Sequence, residues 1–360
     1  MKSKPVNTAI IGCGRLAEHY FKILNSGAVK GINIIGVCDE NSSRSNEYAK
    51  LFNCTGHTDY ETMLKKIKPD LVLILTPSGF HTLHTRIALE HNTNVMVEKP
   101  LSLLPSDAKS LISLARSKNL ILEVAFQNRL NPAIQVLKKA LDKDRLGKIV
   151  SSTVRLRWCR YQEYYEDGWH GTWAQDGGVS NQQAIHHIDA LDWLLGPIDS
   201  ICSTTGNRLN NLEAEDTMVA ILKFSSGALG TIEATTAARP KDYEASLSVV
   251  GEKGLIVVGG IALNKIETWN FVEPEINDSN IPNLFSQDVP TGYGLSHGPL
   301  LQSIVDQLRR GNRINYDSVE QAYRTTQIIH AIYFSDEIKN WVKISDKPIS
   351  SRLGKNTKIQ

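Results

Sequence analysis

The chain is short of the features that would assign it to a disulfide scaffold, a membrane or a nucleic acid. Its five cysteines, Cys13, Cys38, Cys54, Cys159 and Cys202, are odd in number, scattered and without a C-x-x-C pair. Disulfide frameworks and structural metal sites need paired or clustered thiols, so neither is expected, and the setting is expected to be reducing and cytoplasmic. No apolar run approaches the ~20 residues that a bilayer span requires. The N-terminus, MKSKPVNTAIIG, lacks the apolar core and small-residue cleavage site of a secretory leader. Charge of one sign is also lacking, with 40 Lys and Arg against 38 Asp and Glu. A balance so close to zero leaves no overall field to draw in nucleic acid or an acidic lipid surface. Repeats and low-complexity tracts are missing too.

What is there suits two globular domains, the ordinary division for 360 residues. The run NTAIIGCGRLAEHY places an apolar strand before Gly12, Cys13, Gly14, Arg15, Leu16 and Ala17, a G-x-G-x-x-A turn that enters a helix. Gly12 allows the tight turn, Gly14 lets backbone approach a pyrophosphate, and Ala17 permits close helix–strand packing. The helix N-terminus supplies N–H donors and the positive end of its dipole. A second strand, INIIGVCD, ends in Asp39, spaced from the glycines as an acid that holds the adenosine ribose should be. Asp39 would repel a 2′-phosphate, which favours NAD over NADP; Arg44 could reverse that but fits a solvated helix charge better.

Strand-like runs DLVLILTP, NVMVEKP and LILEVAF then alternate with amphipathic helices. Such a pattern predicts a buried parallel sheet, whose ligands sit beyond the carboxyl ends of its strands. Gly12, Asp39, Thr76–Pro77, Glu98–Lys99 and Gln127 all fall at such ends. An ammonium fixed there, as Lys99 would be between Glu98 and Pro100, is suited to bind an alcohol or carbonyl oxygen and stabilise alkoxide character.

The turn GCGRLA, TPSGFHTLH, VMVEKPLS and a later GG…H…D block together resemble the Gfo/Idh/MocA family, the glucose–fructose oxidoreductase and inositol dehydrogenase-like enzymes. The likeness runs from about Val6 to Lys343. It implies an α/β protein: an N-terminal Rossmann domain (1–128) and a C-terminal α/β domain with a large, mainly antiparallel open sheet (129–345). Composition alone marks 346–360 as a polar, loosely held tail. The likeness also implies a homodimer or homotetramer joined through that sheet. The implied chemistry is hydride transfer between nicotinamide and a hydroxyl or keto carbon of a sugar, sugar nucleotide or cyclitol. The cofactor set it implies is Gly12, Gly14, Arg15, Leu16, Asp39, Thr76, Pro77, His81, Glu98, Lys99 and Gln127, with Lys99 catalytic and a downstream D-x-x-x-H pair assisting.

The second half agrees with an antiparallel domain. IVSSTVRLRW, TMVAILKF, ALGTIEATT, ASLSVVG and LIVVGG are short strand-like runs, several separated by SSG or GEKG turns. The segment RLRWCRYQEYYEDGWHGTW is rich in Trp, Tyr and Arg. Arg157, Trp158, Arg160, Trp169 and Trp173 suit the wall of a sugar or sugar-nucleotide pocket, and equally an aromatic subunit interface.

In DGGVSNQQAIHHIDALDWL, helical spacing puts Gln182, His186, Asp189 and Trp193 on one stripe, with Ala184, Ile188, Leu191 and Leu195 opposite. His187 falls on the apolar margin, as a packing residue would. His186 matches the family's catalytic histidine and can exchange a proton near neutral pH. The acid expected four residues earlier is replaced by Gln182, which binds substrate but carries no charge. Lys99 and His186 are therefore expected to carry the proton chemistry. Two alternatives stay open: an inositol or free-hexose dehydrogenase, and a non-catalytic NAD-binding sensor.

Overall fold

The computed structural model describes residues 4–311 and 315–355. They form two compact units, one of Met1–Gln127 with Ser296–Tyr323, the other of Asn128–Leu295 with Arg324–Gln360. The stretch Ser296–Tyr323, expected inside the C-terminal domain, therefore groups with the first unit.

In the first unit, β1 (Val6–Ile11), β2 (Ile32–Cys38), β3 (Thr55–His57), β4 (Leu71–Ile74), β5 (Asn94–Val97) and β6 (Leu122–Val124) make one sheet. All its pairings are parallel and the order is β3-β2-β1-β4-β5-β6, the doubly wound Rossmann arrangement. Strands covered on both faces must be apolar throughout, and Leu71, Val72, Leu73 and Ile74 have no exposed surface at all. Between them run α1 (Arg15–Asn25), α2 (Ser42–Phe52), α3 (Tyr60–Ile67), α4 (His81–Glu90) and α5 (Pro105–Lys118).

The second unit begins with α6 (Pro132–Asp142) and β7 (Ile149–Arg157), then α7 (Val179–Gln182) and α8 (Ile185–Leu195). Next come β8 (Ile198–Gly206), β9 (Thr217–Phe224), β10 (Leu229–Thr235), β11 (Glu244–Gly251), β12 (Gly254–Gly259), β13 (Lys265–Phe271) and α9 (Ile281–Phe285). Two helices follow, α10 (His297–Arg310), which groups with the first unit, and α11 (Asp317–Ile338). A short β14 (Val342–Lys343) completes an eight-stranded sheet, β13-β12-β11-β7-β10-β9-β8-β14. Only β7 and β10 pair in parallel; the other neighbours are antiparallel, as expected of this domain. Burial alternates strictly along β9, so one face of the sheet is packed and the other is open.

The tail drawn from 346 onward is not loose where it is described, and 356–360 lie outside the described residues. Leu353 is fully buried, Ser350 takes part in hydrogen bonds with His330 and Glu337, and the Arg352 guanidinium lies 5.0 Å over the Trp173 ring. A composition-based reading misses this because its polar groups bind partners on α11. Among the described residues, no helix is long and apolar enough to cross a membrane, and all five cysteines are free.

Candidate active site

The first unit's site is built from strand ends. Gly12 closes β1 with a φ of +95°, and a Cβ there would sit 2.8 Å from the Leu75 backbone, so only glycine fits. A Cβ on Gly14 would meet nothing within 4 Å, which leaves the approach to α1 open. No side chain caps α1, whose N-terminus presents the N–H donors and positive dipole end that suit a phosphate. Arg15 is exposed and Leu16 half-buried on its first turn. Cys13 within the turn is no nucleophile, because burial and then Asp39 push its thiol up to about 12.

Asp39 leaves β2 with its carboxylate fixed by two backbone donors, Cys13 N at 2.9 Å and Asn41 N at 2.9 Å. This orientation suits it to accept further hydrogen bonds from ribose hydroxyls. At the end of β6, Gln127 is 2% exposed and its Oε1 has no partner among the described residues. A buried acceptor left unpaired costs about 1–3 kcal/mol, which binding a donor-bearing ligand would relieve. The open Gly14, the uncapped helix and the orphaned Gln127 oxygen together fit a dinucleotide.

Thr76 and Pro77 follow β4, and Glu98 and Lys99 follow β5. His81 was expected to face the cofactor. Instead it is 1% exposed, with Nδ1 2.6 Å from the Pro100 carbonyl and Nε2 2.8 Å from that of Thr76. Its ring ties the two strand-end loops together, so its contribution is to hold Thr76 and Lys99 in place. Burial pushes His81 down to about 4 against the pull of those two carbonyls. Glu98 is also interior, bound by the Tyr20 hydroxyl at 2.8 Å rather than facing outward. Lys99 is half-buried. Tyr20 and His297 escaped the sequence reading, because neither lies in a motif and His297 comes from α10.

In the second unit, α8 is buried on nearly every side, so the stripe that carries His186 and Asp189 faces the interior and not water. Gln182 ends α7, and α8 restarts at Ile185, which breaks the continuous spacing to His186. His186 is 9% exposed and His187 is 1% exposed. Burial pushes His187 down to about 4, and its ring meets Trp158 edge-on. Asp189 is spent on structure: it takes a two-pronged ion pair from Arg129 at 2.7 and 2.5 Å and a hydrogen bond from Thr325.

Gln182 Nε2 donates to Asp176 Oδ1 at 2.7 Å, while Gly171 N donates to Asp176 Oδ2 at 2.9 Å. A carboxylate only accepts, so this contact fixes which way the Gln182 amide points. Asp176 heads the DGGVSNQQ block, and its partners Gly171 and Gln182 lie close by in the chain, so the local turn into α7 sets its use.

The aromatic segment is less open than its composition implies. Arg157 pairs with Glu233 at 2.8 and 2.9 Å and with Glu244 at 3.2 Å, across neighbouring strands. Arg160 binds the Asp242 carboxylate at 2.9 Å. Trp158 and Trp173 are 7% and 6% exposed and belong to the core. Trp169 alone of the expected set keeps a half-exposed indole, lying 3.6 Å from the His170 ring, which Tyr164 flanks at 4.2 Å.

Comparison with known proteins returns one family in two parts. The oxidoreductase family's NAD-binding Rossmann fold matches residues 6–126, and its C-terminal alpha/beta domain matches 138–344. Among solved structures, the chain is similar to the WlbA dehydrogenase of Chromobacterium violaceum, in complex with NADH and UDP-GlcNAcA. That likeness has a TM-score of 0.87 and 32% identity, covering 95% of this chain and 97% of that one. It is 25% identical to the D-glucoside 3-dehydrogenase of Escherichia coli, over 96% of this chain and 99% of that protein. It is 27% identical to the scyllo-inositol 2-dehydrogenase (NAD(+)) of Bacillus subtilis, over 71% of this chain and 74% of that protein.

Proposed function

The chain belongs to the Gfo/Idh/MocA oxidoreductase family and carries its NAD-binding Rossmann domain, and on that premise we propose that it moves hydride to or from a hydroxyl-bearing or keto carbon of a sugar nucleotide. The observation that carries this reading is the gathering of Gly12, Asp39, Thr76, Lys99 and Gln127 at the carboxyl ends of five strands of one parallel sheet. The 32% identity with a dehydrogenase captured with NADH and a UDP-sugar supports the choice of substrate class. The arginines no longer do, since Arg157 and Arg160 are neutralised by carboxylates.

NAD, when bound, accepts or supplies the hydride. Gly14 and the first turn of α1 would hold its pyrophosphate and Asp39 its ribose, and the Gln127 oxygen would accept from a donor on it. The Lys99 ammonium donates to the reacting oxygen and stabilises the charge that develops there. His186 exchanges the hydroxyl proton, and Gln182 hydrogen-bonds a neighbouring hydroxyl. Trp169 supplies an aromatic face for the C–H side of a sugar ring.

A free sugar or inositol is the second reading, supported by the glucoside and inositol dehydrogenases among the relatives. The test is NADH formation across UDP-sugars, free hexoses and inositols. Turnover is expected with a UDP-sugar, and Lys99→Ala is expected to slow it roughly 10²–10⁴-fold while NADH still binds. Tight NADH binding without turnover on any substrate would replace the enzyme with a sensor.

We also propose that the open face of the eight-stranded sheet meets a second copy of the chain. Val219, Ile221 and Leu229 are exposed on it, an apolar surface suited to a contact between copies. Five unpaired thiols suit a reducing, cytoplasmic compartment.

A further inference from the structure

We infer that Glu215 and Tyr333 are positioning residues for the sugar side of the site: together they cap α7 and so set where Gln182 stands. The inference rests on the reading of Gln182 as a residue that hydrogen-bonds a substrate hydroxyl.

Helix α7 is a single turn of four residues, too short to sustain itself, and its N-cap Gly178 has no side chain with which to cap it. Its first N–H groups are nevertheless engaged. Gly178 N donates to the Tyr333 hydroxyl oxygen at 3.1 Å, Val179 N to the Glu215 carbonyl at 2.9 Å and Ser180 N to Glu215 Oε1 at 2.9 Å. The Tyr333 hydroxyl gives its own hydrogen to that same Oε1, at 3.1 Å. Three successive donors thus end on one glutamate just ahead of β9 and one tyrosine of α11. Glu215 is 1% exposed and Tyr333 fully buried, so water has no ready access to the N–H groups they hold. The fit leaves no slack. A Cβ on Gly178 would lie 2.3 Å from Glu215 Oε2, and one on Gly177 would lie 3.0 Å from the Tyr333 hydroxyl oxygen.

Gln182 stands at the far end of this turn. Its backbone N–H is bound to the Gly178 carbonyl at 2.8 Å, so the capped residue and Gln182 move together. Its side-chain amide is tied to Asp176, whose other oxygen holds Gly171 N. Asp176 therefore directs the amide, while Glu215 and Tyr333 fix the backbone that carries it. Oε1 of Glu215 alone takes both side-chain bonds, so one accepting oxygen is what the position requires. A glutamine supplies that oxygen, and a methionine of similar length does not. A displacement of about 1 Å in a positioning group can cost a reaction roughly 10²-fold.

The test reads the full-length protein in two ways. Without substrate, hydrogen–deuterium exchange follows the amides of 178–182. They are expected to exchange roughly tenfold faster in Glu215→Met, less so in Tyr333→Phe, and at the wild-type rate in Glu215→Gln. With NAD and a panel of UDP-sugars as probes, Glu215→Met is expected to lower kcat/KM about 10–100-fold at unchanged NADH affinity, and Glu215→Gln to keep it within about threefold. In a Gln182→Ala background the same Glu215→Met change is expected to cost less than about twofold, because a residue that acts through Gln182 has nothing left to position. An equal cost in both backgrounds overturns the inference, as does wild-type exchange in Glu215→Met. Should that variant fail to fold, Tyr333→Phe is read against the same two outcomes. Faster exchange in a protein that turns over no sugar keeps the cap on α7 and discards the activity, so the two readings fail separately.

Discussion

Glu215 shows what a single residue can hide. It is 1% exposed, accepts from Ser180 N at 2.9 Å and from the Tyr333 hydroxyl at 3.1 Å, and its Oε2 has no partner among the described residues. Burial pushes it up to about 7 from an ordinary 4.5, against those hydrogen bonds. Between these values the folded chain holds a proton that the unfolded chain has lost. Stability must therefore fall as pH rises through this window and level off above it, by about 3 kcal/mol in all. Glu215→Gln removes that slope. The variant's melting temperature, relative to wild type, is expected to be higher at pH 8 than at pH 4.5; an equal difference at both would refute the assignment. Nothing in the sequence marks Glu215, because its neighbours Ser180 and Tyr333 come from α7 and α11. Lys99 and Asp39, by contrast, were legible because each ends a strand whose pattern identifies it.

Elements were legible where their surroundings are simple. The βα alternation up to Gln127 follows from apolar runs separated by helix and turn signals, and TMVAILKF is β9 residue for residue. The polar groups of α8 face the interior, where Asp189 and Asp192 pair with Arg129 and Arg324. Periodicity assumes that polar side chains face water, and an internal ion pair defeats the assumption. Asp189 has no exposed surface, so removing its cation leaves a buried charge uncompensated. Arg129→Met is expected to cost about 3–5 kcal/mol in urea unfolding, and a loss under 1 kcal/mol would show that the pair is dispensable. At the other extreme, Gly178 packs so tightly that a Cβ would lie 2.2 Å from the Glu215 carbonyl oxygen, which fixes the start of α7.

For the whole molecule, the open sheet face is the feature with most consequence. Leu229 is 57% exposed and Ile221 46%, on strands whose alternate residues are fully packed. Light scattering is expected to find a dimer or tetramer, and Leu229→Arg to shift it toward monomer while NADH affinity is retained. A monomeric wild type would leave that face to some other role. The grouping of Ser296–Tyr323 with the first unit belongs to this scale too, and no local pattern announces a chain that returns to an earlier domain.

The sequence by itself determined the doubly wound sheet, the glycine turn, the acid after β2 and the lysine after β5. These depend on short-range order, which repeats of strand and helix encode directly. Tertiary structure decided which polar groups are spent: Arg157 on Glu233 76 residues away, Arg129 on Asp189 60 away, and Glu98 on Tyr20 78 away. Whether a charge faces a ligand or its own counter-charge depends on what folds against it, and chain neighbours carry no record of that.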